Sequence, residues 1–120
     1  MIIEQQVCSL ELAKRLKELG VKQESLFYWQ FFPGHNFIIH DKDKSNHYET
    51  ETYSAFTVAE LGEMLPDWNE SVKRAYKDWV CIIRNKNTDI NWHSFGETEA
   101  NARSKMLIYL LENGLIKNEK

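Results

Sequence analysis

The sequence predicts an α+β fold, a four-stranded antiparallel sheet of two hairpins with three helices packed on one face, in the order α-β-β-α-β-β-α. Three observations carry that expectation. Two stretches place apolar residues at helical spacing and end in glycine. Two pairs of β-branched and aromatic runs are joined by turn residues, and a double helix-start signal stands between the pairs. The 120 residues suit a single domain, 1–120, and a chain of this length buries roughly two-thirds of its unfolded surface.

Residues 9–19 carry Leu12, Ala13, Leu16 and Leu19 on one helical stripe, with Glu11–Arg15 and Lys14–Glu18 pairs on or near the outer face. Gly20 stands where a left-handed residue ends a helix, and Val21 follows in position to touch Leu16. Leu26–Phe32 and Asn36–His40 are β-rich runs flanking the turn signal Pro33-Gly34. A three-residue loop sets Phe27, Trp29 and Phe31 on one face with Phe37 and Ile39; a two-residue loop sets Phe37 and Ile39 beside Tyr28 and Gln30. The first segregates the apolar residues and is the register expected. Asp41–Thr52 is polar, without helical or alternating period, and reads as a mobile loop.

Thr57 can cap the amide of Glu60 while Glu60 reaches back to the amide of Thr57, and Phe56 can pack on Leu61 across the junction. The helix that starts there runs from Val58 to about Leu65 and stops at Pro66. Residues 67–77 conflict: Val72, Tyr76 and Trp79 have helical spacing, whereas Asp67, Asn69 and Ser71 suit an irregular link. Trp79–Arg84 and Ile90–Phe95 read as a hairpin across the polar turn at Asn85–Asp89. With Arg84 opposite Asn91, the residues Trp79, Cys81, Ile83, Ile90 and Trp92 share one face, and Arg84, Asn91 and His93 the other. The last helix follows Thr98 as N-cap, with Glu99 in its first turn. It lines Ala102, Met106, Tyr109 and Leu110 on one side and ends at Gly114, where Leu115 can fold back on Leu110; the tail Lys117–Lys120 is expected to fray.

A net charge of −3 argues against a generally basic nucleic-acid binder. No run approaches the ~20 apolar residues of a membrane helix, so a cytoplasmic chain without a membrane partner is expected. Cys8 and Cys81 form no CxxC pair and read as reduced, packed thiols, although Cys8 precedes the first helix and its thiol could feel that N-terminus. Asp41-Lys42-Asp43-Lys44-Ser45 begins like a calcium loop, but Asn46 replaces the turn glycine and Thr52 the bidentate Glu, so a solvated loop is the better reading. His35, His40, His47 and His93 have no metal-ligand spacing; only His40 and His93 could meet, on an exposed sheet face. GxSxG, P-loop, GxGxxG and HExxH patterns do not occur. No catalytic residue, metal or cofactor is therefore assigned, and a non-enzymatic protein is expected.

Two binding readings are left. Lys14, Arg15, Lys17 and Lys22 cluster around the first helix, with Lys73, Arg74 and Lys77 as a second basic group and Arg84 with Lys86 as a third. These would serve a nucleic-acid-binding module, but Glu11 and Glu18 interrupt the first patch. The leading reading, to which the nucleic-acid module is the alternative, is a protein-binding face on the uncovered side of the sheet, carrying Tyr28, Gln30, Ile38, His40, Ile82, Arg84 and His93. Mixed aromatic, aliphatic and Arg content suits an interface centre. The same residues suit a bare solvent face or a homodimer, and edge-strand pairing is another route to a dimer.

Two segments are familiar. Ser54–Pro66 (SAFTVAELGEMLP) and Glu97–Asn113 (ETEANARSKMLIYLLEN) resemble blocks in small uncharacterised proteins of bacterial phages and prophages. Asn101 and Ser104 depart mildly from the Ala/Asp expected there. The resemblance implies a mobile-element setting, and no activity, cofactor or site residue.

Overall fold

The computed structural model describes residues 2–32, 35–40, 52–67, 69–75, 78–84 and 91–116, with the backbone alone at 31, 32 and 35. In chain order the elements are a 3₁₀ turn (Ile3–Gln5), α1 (Leu10–Glu18), β1 (Phe27–Phe32), β2 (His35–His40), β3 (Thr52–Ser54), α2 (Val58–Met64), β4 (Asn69–Lys73), β5 (Trp79–Arg84), β6 (Asn91–Gly96) and α3 (Glu99–Glu112). The α+β class holds. The single four-stranded sheet does not: the strands form two three-stranded antiparallel sheets, ordered β2-β1-β3 and β4-β5-β6.

Neither additional strand was expected, and the first begins at Thr52, the last residue of the segment read as a polar loop. Thr52–Ser54 pairs with β1, setting Tyr53 opposite Trp29 and Ser54 opposite Tyr28, and an aromatic cross-strand pair stabilises so short a strand. Asn69–Lys73 lies in the stretch left between helix and irregular link, and is neither. It pairs with β5, with Val72 opposite Val80 and Asn69 opposite Ile83. The polar loop over 41–51, the Asn85–Asp89 turn with Ile90, and the tail fall outside the described residues.

The first hairpin takes the register that was set aside. Phe32 pairs with His35 and Tyr28 with Ile39, so two residues separate the strands and Phe37 and Ile39 share the face of Tyr28 and Gln30. Both faces of this sheet take apolar residues, so segregating them was the wrong criterion. The second hairpin pairs Arg84 with Asn91, as expected, and puts Trp79, Cys81, Ile83 and Trp92 on one face.

The helix ends follow from local chemistry. Ser9 Oγ accepts from the Leu12 amide at the start of α1. At its end Gly20, at φ 86°, donates to Lys17 O, and Val21 donates to Leu16 O. The capping box forms in full: Thr57 Oγ1 accepts from the Glu60 amide at 3.2 Å, and Glu60 Oε1 accepts from the Thr57 amide at 2.9 Å. The other Glu60 oxygen accepts from the Leu26 amide, so the same carboxylate ties α2 to the start of β1. Thr98 caps α3, and Gly114 at φ 65° ends it with Leu115 donating to Leu110 O. The Leu115 side chain nonetheless stays half exposed.

One core joins these parts. Leu16 of α1, Leu61 of α2, Met106 and Leu110 of α3, and Phe56 are fully buried together with Cys81 and Ile83 of β5. Each large side chain contributes roughly 1.5–3 kcal/mol. Trp29 of β1 and Tyr53 of β3 pack on the same cluster from the first sheet. The close approach of α3 to the second sheet is set by Gly96, where a Cβ would lie 2.5 Å from the Ala102 nitrogen. Arg103 then ties α3 sideways, donating to Ser71 Oγ on β4 and to Val58 O on α2.

Candidate binding surface

Alternation along the second sheet separates two faces. Ser71, Cys81, Ile83, Trp92 and Ser94 point at the helices; Ser94 Oγ donates to Ala102 O at 2.6 Å. The outer face carries three cross-strand rows: Val72, Val80 and Phe95; Glu70, Ile82 and His93; and Arg84 with Asn91. Val72 is 44% exposed and Phe95 43%, whereas Val80 is buried and Ile82 half-buried beneath their neighbours. The result is an apolar strip across all three strands, open to solvent.

The charges on this face are paired within it. Arg84 Nε donates to Glu70 Oε1 at 3.0 Å, with Nη2 reaching the same oxygen. Arg74 binds both carboxylate oxygens of Asp78, at 2.7 and 3.0 Å, and its guanidinium lies 4.5 Å from the centre of the Phe95 ring. The neighbouring Asp78 carboxylate raises the Arg74 pKa further above its ordinary value. A planar fork fixed by a carboxylate presents its flat side to a ring, which a lysine could not do. Among the described residues, Glu70 and Asp78 each have an arginine partner on this face.

The expected site residues divide between two sheets. Arg84 and His93 lie exposed on the outer face just described, and Ile82 lies between them. His40 is exposed on the first sheet, edge-on to Phe27 at 5.4 Å between ring centres; it shares no face with His93. Tyr28 and Gln30 are corrections: they are 2% and 1% exposed. In the two-residue register they do not share a face with His40 and Ile38, and the segment after α1 lies against Tyr28. Its hydroxyl donates to Gln23 O at 3.1 Å and accepts from the Ser25 amide. Neither residue can meet a partner at the surface.

Val72, Phe95, Glu70 and Arg74 complete the surface and were missing from the expected set. Phe95 was recoverable, since it stands two residues from His93 and therefore on the same face. Val72 and Glu70 were not, because nothing in a pentapeptide whose only apolar residue is Val72 announces a strand before its partner is known.

Other candidate chemistry is placed as follows. Cys8 is fully buried, and burial pushes its thiol up to about 11, so the helix N-terminus does not activate it. Burial likewise pushes the Cys81 thiol up to about 11, against the opposing influence of Arg103. Of the basic groups, Lys14 and Lys17 stand over the Tyr53 ring at 5.7 and 4.9 Å, Lys17 donates to Thr52 O, and Arg15 binds Glu112. Lys77 and Lys86 lie outside the described residues, as do the calcium-like loop except for Thr52, and His47. Among the described residues no three of His, Cys, Asp and Glu converge on one point, and no helix is long and apolar enough to cross a membrane. No family model, curated protein or solved structure matches the chain.

Proposed function

We propose that the chain is a non-enzymatic binding protein that engages a partner protein through the outer face of its second sheet. The observation that carries this is the open strip of Val72, Ile82 and Phe95, framed by the internally paired Arg84–Glu70 and Arg74–Asp78. An apolar centre with a polar rim is the anatomy of a protein interface. Arg and aromatic residues, Phe among them, are enriched at the core of such interfaces. Arginines paired in this way also fit a protein better than a polyanion, which would need unpaired cations. The phage and prophage resemblance of residues 54–66 and 97–113 suits an accessory or host-interaction factor.

The second reading, a nucleic-acid-binding module, rests on Lys14 and Lys17 beside Tyr53. It is weaker because Arg15 is engaged by Glu112 and Glu18, and Lys22 by Glu24.

The test places a photo-crosslinking residue at Val72, at Ile82 and, as a control on a distant exposed site, at Leu115. The proposal expects a protein adduct at the first two positions that survives nuclease and is absent at the third. With that protein purified, Val72→Asp is expected to weaken binding at least about tenfold. Adducts that disappear with nuclease, or that form equally at Leu115, reject the outer face as the site.

A further inference from the structure

The second sheet ends in two different ways. Its β4 edge carries Glu70 and Lys73, the kind of charged residue that keeps a strand edge from pairing with another chain. Its β6 edge, Asn91-Trp92-His93-Ser94-Phe95-Gly96, has no Lys, Arg, Asp, Glu or Pro in six residues. Among the described residues nothing pairs with that outer edge, so alternate residues of β6 present amide and carbonyl groups to solvent. Among the described residues such an edge is unprotected.

We propose that β6 pairs antiparallel with β6 of a second copy, joining two three-stranded sheets into one of six strands. This goes beyond the outer-face reading, because it concerns the sheet's edge and holds whether or not that face binds another protein. Three features favour a copy of this chain as the occupant. A strand without charges can lie against itself with no like charges opposed. A two-fold axis perpendicular to the sheet keeps outer face with outer face, and centred at Ser94 it sets Phe95 across from the second copy's His93, ring against ring, twice. The helix above the edge is also open on the same side. Arg103 points to β4 and α2, so Lys105 and Tyr109, about half a turn round α3, face the other way. Tyr109 is 43% exposed there. Strand pairing alone is short of a standard interface, and this helical stripe supplies further contact.

The test is the mass in solution, by light scattering on an eluting column, over about a hundredfold dilution series. The proposal expects twice the monomer mass at the high end, falling toward monomer on dilution. Phe95→Lys, which puts like charges at the paired edge, is expected to be monomeric throughout with an unchanged far-ultraviolet spectrum. Val72→Lys changes the outer face on the far strand and is expected to remain dimeric. A monomeric wild-type chain at every concentration overturns the proposal. So does a dimer that survives Phe95→Lys, or one that Val72→Lys dissolves, since the contact would then lie elsewhere or on the face. Should Phe95→Lys fail to fold, amide exchange decides. Protection of alternate amides in 91–96 is expected at high concentration and lost on dilution; concentration-independent exchange overturns the pairing.

Discussion

At the scale of single residues, Glu60 joins two duties: one oxygen completes the capping box with Thr57 and the other holds the Leu26 amide at the start of β1. Thr57→Ala is therefore expected to cost about 1 kcal/mol through the cap alone. An unchanged denaturation midpoint would contradict that role. Cys8 gives a pH signature. An ordinary thiol ionises near 9.0 and the buried Cys8 near about 11, so between those values the folded chain holds the proton more tightly than the unfolded one. The stability this contributes is complete below the unfolded value and is lost as pH rises through the folded one. Midpoints measured across that window should fall less steeply in Cys8→Ala than in the wild type; equal slopes would contradict burial of the thiol. The capping residues could be read from sequence because their partners lie three residues away. The fate of Cys8 could not, since its burial depends on Phe56 and α3, distant in sequence.

At the scale of elements, the two glycines that matter most act for different reasons. Gly114 has positive φ with open space around its Cα, so Gly114→Ala is expected to cost about 1 kcal/mol through backbone conformation. Gly96 is limited by space, and Gly96→Ala would press on the Ala102 and Asn101 backbone. It should cost about 1–3 kcal/mol by overpacking. Urea denaturation of the two variants checks both, and a neutral Gly96→Ala would mean that α3 sits farther from β6. The three helices and the second hairpin were legible because caps, stripes and glycine ends are local. The first hairpin was legible as a hairpin and misread in register. Phe27, Tyr28, Trp29 and Gln30 supply a bulky side chain to each face, so alternation alone does not choose between two-residue and three-residue loops. The strands β3 and β4 were missed because three residues in one case, and five of which only Val72 is apolar in the other, have no intrinsic preference strong enough to declare themselves. Their partners on β1 and β5 make them strands.

At the scale of the molecule, two sheets share one helical core, and only the second turns an apolar strip to solvent among the described residues. Arg84 and His93 were placed together from sequence because strand parity within one hairpin is enough to place them. Tyr28 and Gln30 were misplaced because a single four-stranded sheet was assumed, whose uncovered face would have spanned both hairpins. The direct measurement is amide exchange with and without the purified crosslinked partner. The outer-face reading predicts slowed exchange in 69–73, 79–84 and 91–96, with α1 and β1 unchanged. Slowing confined to α1 and β3, around Lys14, Lys17 and Tyr53, would contradict it and move the contact to the first sheet.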